Sequence, residues 1–343
     1  MTSYERITTV LTGRIPDRIP VCLLNYMCAC KEAGFTLEEC FRDAKKFASS
    51  QLTAQKKYRH DMLHLQNGIV GLAQSFGCEI EYYPTTCPTI ITHPFNDYEN
   101  FINAHSKFAF GELCDVLLES SAIMTKELGG SVCIRPEVGQ GPFSLAGLIF
   151  GLDKFLIDSI DDSMTEVINE VLFLLMNAVI EYAKELKNIG IHIMGIGDSL
   201  ISPDVVSPQL YEKFGYPYHK TLVEEFNKLG ITLIIHICGN ATPITRSLVK
   251  TGVPAIELDH KIESKRTKEY TAGKCTIIGN LDPSGVICHG DPQLVSIKSR
   301  EAIDTFGKNG FFILGSGCDI PFETPEENLY ALVNTAENYG VYK

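Results

Sequence analysis

His236 and Cys238 stand two residues apart in the run Ile231 to Asn240, whose apolar and β-branched residues predict a buried parallel strand. On a strand, positions i and i+2 share a face, so the imidazole and the thiol point the same way. Both are good zinc ligands, but two ligands hold the ion poorly. Cys318 follows Gly315-Ser316-Gly317 at the end of another predicted strand and is the natural third donor. Two thiolates and one imidazole leave one tetrahedral position open, which is the donor set of a catalytic zinc and not of a structural one. Asp259 is the first candidate for a fourth ligand and Glu257 the second, a carboxylate holding the vacancy until a better ligand displaces it. The alternative role is that of an acceptor orienting His236. Asp198 is either a substrate contact or a helix cap.

The remaining cysteines and histidines read differently. Cys28 and Cys30 repeat the two-residue spacing with no histidine close by, and are not expected to bind metal. Cys275 begins a predicted strand, on the face that serves stability, and Cys22, Cys78, Cys114 and Cys133 read as core thiols. His260, His192 and His289 are expected to be structural.

Eight short apolar runs supply the elements that must position these groups: Ile19–Leu24, Met62–Gln66, Ser131–Val138, Ile191–Ile196, Ile231–Ile237, Val253–Leu258, Cys275–Gly279 and Phe311–Gly315. Helical patterns lie between most of them, the longest over Ser163–Lys187. Ser207-Pro208 reads as an N-cap with proline at the first helical position. Thr324-Pro325-Glu326-Glu327 predicts the same with a capping box. Eight strand–helix units predict an α/β fold, a closed (β/α)8 TIM barrel. We expect one catalytic domain over residues 1–343, with an N-terminal extension and an insertion around 67–130. That insertion contains Glu79–Tyr83 and a helical pattern near Asp97–Leu128, read as an insertion plus a helix that could instead add strands of its own.

In such a barrel the chemistry sits at the C-terminal strand ends. Six consecutive strands end in polar or metal-capable residues. These ends are Glu137 with Gly139-Gln140-Gly141, Gly197-Asp198-Ser199, His236 to Asn240, Glu257 to His260, Gly279 to Pro283, and Gly315 to Asp319.

The totals bound the rest. The chain has 343 residues, 45% of them apolar, enough for a large core. A net charge of -12 repels phosphate backbones and argues against nucleic acid as a partner. The first residues are polar and no run of signal or membrane-spanning length is evident, so a cytoplasmic location without membrane contact is expected. There the twelve cysteines should be mostly reduced.

Several segments resemble the uroporphyrinogen decarboxylase superfamily. They are His236-x-Cys238-Gly239, Gly279-Asn280-Leu281-Asp282-Pro283, Gly317-Cys318-Asp319-Ile320-Pro321 and Gly141-Pro142-Phe143-Ser144-Leu145-Ala146, together with Ser202-Pro203, Pro217-Tyr218 and Pro325-Glu326-Asn328-Leu329. The histidine and two cysteines bring the resemblance closest to the methylcobamide:coenzyme M methyltransferase branch. It implies a (β/α)8 barrel with Zn2+ on the C-terminal face, a thiol such as coenzyme M in the open coordination position, and methylcobalamin or another methylated corrinoid as donor, usually on a partner corrinoid protein. Asp198 and Asp259 are then the catalytic candidates. Glu137, Gly141, Asn280, Asp282 and Ser316 are candidates for binding the cofactor, and the assembly would be a monomer or homodimer. The porphyrinogen decarboxylases of the superfamily carry an arginine-rich segment after the first strand, whereas Val21 to Cys30 contains no arginine. Decarboxylation, or corrinoid-dependent demethylation with another acceptor, is the alternative.

Overall fold

Eight parallel strands close into a barrel: β1 (Val21–Leu23), β2 (Met62–Leu65), β5 (Cys133–Gln140), β6 (Ile193–Gly197), β7 (Thr232–Ile237), β8 (Ala255–Leu258), β9 (Thr276–Leu281) and β10 (Phe312–Ser316), with β10 returning to pair with β1. The computed structural model describes residues 1–66, 68–104 and 109–342. Each barrel strand lies within a predicted run or extends it by a few residues. The two remaining strands, β3 (Glu79–Glu81) and β4 (Thr89–Thr92), form an antiparallel pair outside the barrel. The 67–130 stretch therefore does add strands of its own. Its helical pattern divides into Tyr98–Ala104 and Glu112–Leu128, while positions 67 and 105–108 lie outside the described residues.

The barrel interior is built in layers, because alternate residues of every strand face inward. The lower layer is apolar: Cys22, Met62, Cys133, Ile193, Ile234, Ala255, Ile278 and Ile313, joined by Leu24. The helix Ser3–Leu11 closes this end from below with Ile7 and Val10, which belong to the same cluster. Its start is fixed by a capping box between Thr2 and Glu5. Beside it the buried carboxylate of Asp61 accepts from Arg6 at 2.6 Å, Arg18 at 2.8 Å and the Val21 amide at 2.8 Å.

The long helix is Thr165–Asn188, and Val171, Leu172, Leu175, Val179, Ala183 and Leu186 are its buried stripe. By length and composition the segment Asp162–Asn188 is apolar enough to cross a membrane, contrary to the expectation that no such run exists. Its apolar stripe instead packs in the main core. Ser207 caps its helix as predicted, its hydroxyl accepting from the Leu210 amide at 3.2 Å. The expected box at Thr324 does not form. The last helix begins one residue later, at Glu326, so Glu327 sits too early in the first turn to reach back to Thr324.

Candidate metal centre

Two residues above the apolar layer, the same inward positions change character. Met62 is followed by His64, Cys133 by Arg135, Ile193 by Gly195, Ile234 by His236 and Ala255 by Glu257. Most barrels fill this level with branched aliphatic side chains. Here it is polar and still buried: Arg135 and Glu257 are both 0% exposed. Gly195 makes room for it, since a Cβ there would fall on the Arg135 guanidinium and the Glu137 carboxylate.

Buried charge of this kind must be paired. Arg135 Nη2 lies 2.7 Å from Glu137 and 2.8 Å from Glu257, and Nη1 meets Nδ1 of His64. One guanidinium thus serves two carboxylates. Burial raises the Glu137 carboxyl above its ordinary value despite Arg135. For Glu257 burial acts in the same direction, but Arg135, His236 and His64 outweigh it and the group is held low.

Above this layer the predicted donors converge. Nε2 of His236 lies 2.9 Å from Sγ of Cys238, and the two sulfurs of Cys238 and Cys318 are 3.6 Å apart. All three ligand atoms fall within 4.8 Å of one another. Sulfurs bound tetrahedrally to one zinc stand about 3.8 Å apart, given a Zn–S bond of about 2.3 Å, so the donor set fits the ion. The Cys318 hydrogen bond, acting with the His236 charge against burial, pulls the Cys238 thiol well below its usual range, while Cys318 is pushed up. Burial alone would discharge His236, but the Cys238 sulfur and the Glu257 and Glu137 carboxylates raise it. The pocket favours a Cys238 thiolate, beside a protonated His236 and with the proton kept on Cys318.

The triplet opens on a cavity of about 60 Å³ lined by Leu24, His64, Gln66, Glu137, Gln140 and Asp319, among others. Of the sequence candidates, His236, Cys238, Cys318, Glu137 and Glu257 meet there. His64, Arg135, Gln66 and Asp319 were not singled out from the sequence, although His64 with Gln66, and Arg135 with Glu137, carry the two-residue spacing of a shared strand face.

The other candidates go elsewhere. Asp198 accepts from the amide and hydroxyl of Ser144 at 2.8 and 2.6 Å and faces His219 at 3.0 Å. One oxygen ties β6 to the first turn of the helix Pro142–Phe150 and the other faces His219 on the helix Tyr216–Lys228, the bonding pattern of a cap residue. Asp259 accepts from the Gly239 amide at 2.8 Å and contacts His260 at 2.7 Å. It braces the turn after Cys238 and does not join the triplet. Gly141 packs against the Asp198 carboxylate, where no Cβ fits. Asn280 and Asp282 line a different cavity, with His260 and Lys298, and Asp282 caps the turn at Ser284 and Gly285. Ser316, three residues after the inward-facing Ile313, lies on the helix side of β10. Cys28 donates to the Pro321 carbonyl at 3.0 Å, away from the triplet. His260 is half-buried between Asp259 and Asp282.

Comparison with known proteins agrees with this picture. Methylcobamide:CoM methyltransferase MtbA of Methanosarcina acetivorans is 28% identical over 348 residues, covering 99% of this chain and 99% of that protein. Methylcobamide:CoM methyltransferase MtaA of Methanosarcina barkeri is 22% identical over 346 residues, covering 98% of each. A solved methyltransferase from Methanosarcina mazei shares the fold, with a TM-score of 0.88 at 23% identity and 99% of both chains covered. The family described as uroporphyrinogen decarboxylase (URO-D) matches residues 2–339, a stretch that takes in every barrel strand and both halves of the sulfur site. The chain belongs to that family.

Proposed function

We propose that this protein is a zinc-dependent methyltransferase that moves a methyl group from a methylated corrinoid to a thiol. The observation that carries this is the convergence of one imidazole and two cysteine sulfurs at the mouth of the barrel, beside a cavity large enough for a small group only. His236, Cys238 and Cys318 would hold the ion, and Glu257 would orient His236. Bound there, zinc would keep an incoming thiol deprotonated at neutral pH, and only a thiolate attacks well. The thiolate sulfur would gain a bond to the methyl carbon as the donor's carbon–cobalt bond broke heterolytically, the electron pair staying with the corrinoid. The relatives named as methylcobamide:CoM methyltransferases make methylcobamide the natural donor class. The donor would arrive on a partner corrinoid protein at the open C-terminal face. We place the enzyme in the cytoplasm, as one catalytic domain working as a monomer or homodimer.

Decarboxylation of a porphyrin-like acid is the weaker reading. It needs free cations for several substrate carboxylates, and Arg135 is already spent on Glu137 and Glu257. The deciding experiment measures zinc per chain together with methylcobalamin-dependent loss of free thiol. Zinc absorption spectroscopy should show one added sulfur ligand when a thiol binds. A chain that lacks zinc as purified, or that methylates thiols equally well without it, refutes the proposal.

A further inference from the structure

We propose that a second cavity on the barrel rim seats an amide side arm of the methylated corrinoid while the cobalt stands over the sulfur site. The inference rests on the thiol methyltransferase reading and fixes where the donor itself is held, apart from the acceptor.

The cavity holds about 360 Å³, against about 60 Å³ at the sulfur site. It begins at the C-terminal ends of β8 and β9, with His260 and Asn280, and runs down between the helices Ser264–Thr271 and Pro292–Phe306. Its upper edge is tied to the metal ligands. Gly239, next to Cys238, donates its amide to Asp259 at 2.8 Å, and Asp259 meets Nδ1 of His260 at 2.7 Å. Gly317, next to Cys318, packs so closely on Asp259 and the His260 amide that a Cβ would lie 2.7 Å from that nitrogen. The neighbours of both cysteines thus rest on the wall of this cavity. A corrin is far too broad for the sulfur pocket and must lie across the rim, which brings its periphery over this edge.

The lining matches the chemistry of that periphery. Corrinoid arms are short methylene stems that end in primary amides. Leu281, Ala302 and Phe306 are buried and give the cavity an apolar wall, with Val286 beside them. The polar end meets both needs of an amide, which donates through nitrogen and accepts through oxygen. Oδ2 of Asp282 is free to accept, since the cap at Ser284 and Gly285 uses Oδ1, and Nε2 of His260 stands 3.8 Å off. Asn280 spends only its nitrogen, on the Asp259 carbonyl at 3.5 Å, and keeps its side-chain oxygen open. The hydroxyl of Ser264, which has no partner among the described residues, supplies a donor. A carboxylate arm fits worse. Lys298 is the one lysine or arginine of the lining and is paired with Glu301 at 2.8 Å, so a second anion would face Asp282 and Glu301 with no spare cation there.

Hydrolysis of one donor arm at a time tests this. The b-, d- and e-monocarboxylic acids of methylcobalamin each carry a carboxylate in place of one propionamide. With zinc-loaded enzyme and saturating coenzyme M, one of these acids should raise the KM for the donor roughly tenfold, or about 1.4 kcal/mol, with kcat kept. The others should match methylcobalamin. Asp282→Asn keeps a side-chain oxygen for the cap but replaces the acceptor with a donor, so the penalty on that one acid should shrink toward nothing. Acids that all serve as well as methylcobalamin, acids that all fail alike, or a penalty unmoved in a zinc-replete Asp282→Asn overturn the inference while leaving the methyltransferase standing. If methylcobalamin delivers its methyl group to neither coenzyme M nor 2-mercaptoethanol, the methyltransferase reading itself falls. The pattern among the acids in the unmodified enzyme decides even where the variant is unstable.

Discussion

His236 and Glu257 are register partners on β7 and β8, and Nδ1 of the imidazole lies 3.7 Å from Oε1 of the carboxylate. The register puts the acceptor beside the ring nitrogen that a metal bound at Nε2 would leave free. Outer partners of this kind fix the tautomer and aim of a ligating histidine, and losing one costs about 10–100-fold in metal affinity. Glu257→Gln should therefore weaken zinc binding by roughly tenfold, read by competition with a chromogenic chelator. Undiminished affinity would remove Glu257 from the site.

Cys238→Ala and Cys318→Ala should each lose zinc and methyl transfer together, because two remaining ligands hold the ion poorly. Metal analysis after dialysis, beside thiol methylation, checks this. Cys28→Ala is the control. Its sulfur is engaged with the Pro321 carbonyl, and zinc content should not change.

Arg135 is, among the described residues, the one guanidinium in the upper barrel layer, where it pairs with both Glu137 and Glu257, and its removal should be severe. Arg135→Met strands two carboxylates, a loss of about 3–5 kcal/mol by analogy with broken buried ion pairs. Urea unfolding at neutral pH reads this directly. Replacing Glu137 by Leu in the same chain should recover part of it, since one uncompensated acid is then gone.

His60 gives the stability a pH dependence. It is fully buried, neither ring nitrogen has a partner, and burial lowers its pKa from 6.5 to about 4 against the opposing charge of Asp61. The unfolded chain therefore takes up the proton first as pH falls. The contribution is complete above pH 6.5 and is lost as pH drops toward 4. Its full size is about 3 kcal/mol at 1.36 kcal/mol per unit. His60→Phe should flatten the unfolding free energy between pH 7 and pH 5 relative to the unmodified chain. Parallel slopes in the two proteins would contradict this.

Gly141→Ala places a methyl on the Asp198 carboxylate. That carboxylate is already bound to Ser144 and His219, so it has little freedom to move. We expect a loss of about 1–3 kcal/mol, as for other overpacked interiors, with zinc binding retained. Thermal unfolding and metal analysis on the same sample separate the two effects.

The barrel was legible because most of its strands are largely apolar runs flanked by turn residues, as Ile231–Ile237 is. His236, Cys238 and Cys318 were legible because strand ends of a barrel share one rim. Asp198, Asp259 and Gly141 also lie at strand ends, but their partners are backbone amides and side chains that only folding brings close. The polar layer stayed hidden for a different cause. Arg135 and His64 sit inside strands, where a charged residue reads as an outward one until the alternation is anchored on its neighbours. Cys133 and Met62 provide that anchor, two residues earlier on the same face. The β3–β4 pair is mostly exposed and short, so it lacks the apolar run that marks a strand.

The apolar layer sealed by Ile7 and Val10 has a bearing on traffic. With the lower end stoppered, the sulfur pocket has one doorway, and a bulky donor must stand in that doorway to deliver its methyl group. The small acceptor would then have to be seated first, and its methylated product could depart only after the donor withdraws. On this reading, the plug at one end of the barrel dictates the order of events at the other.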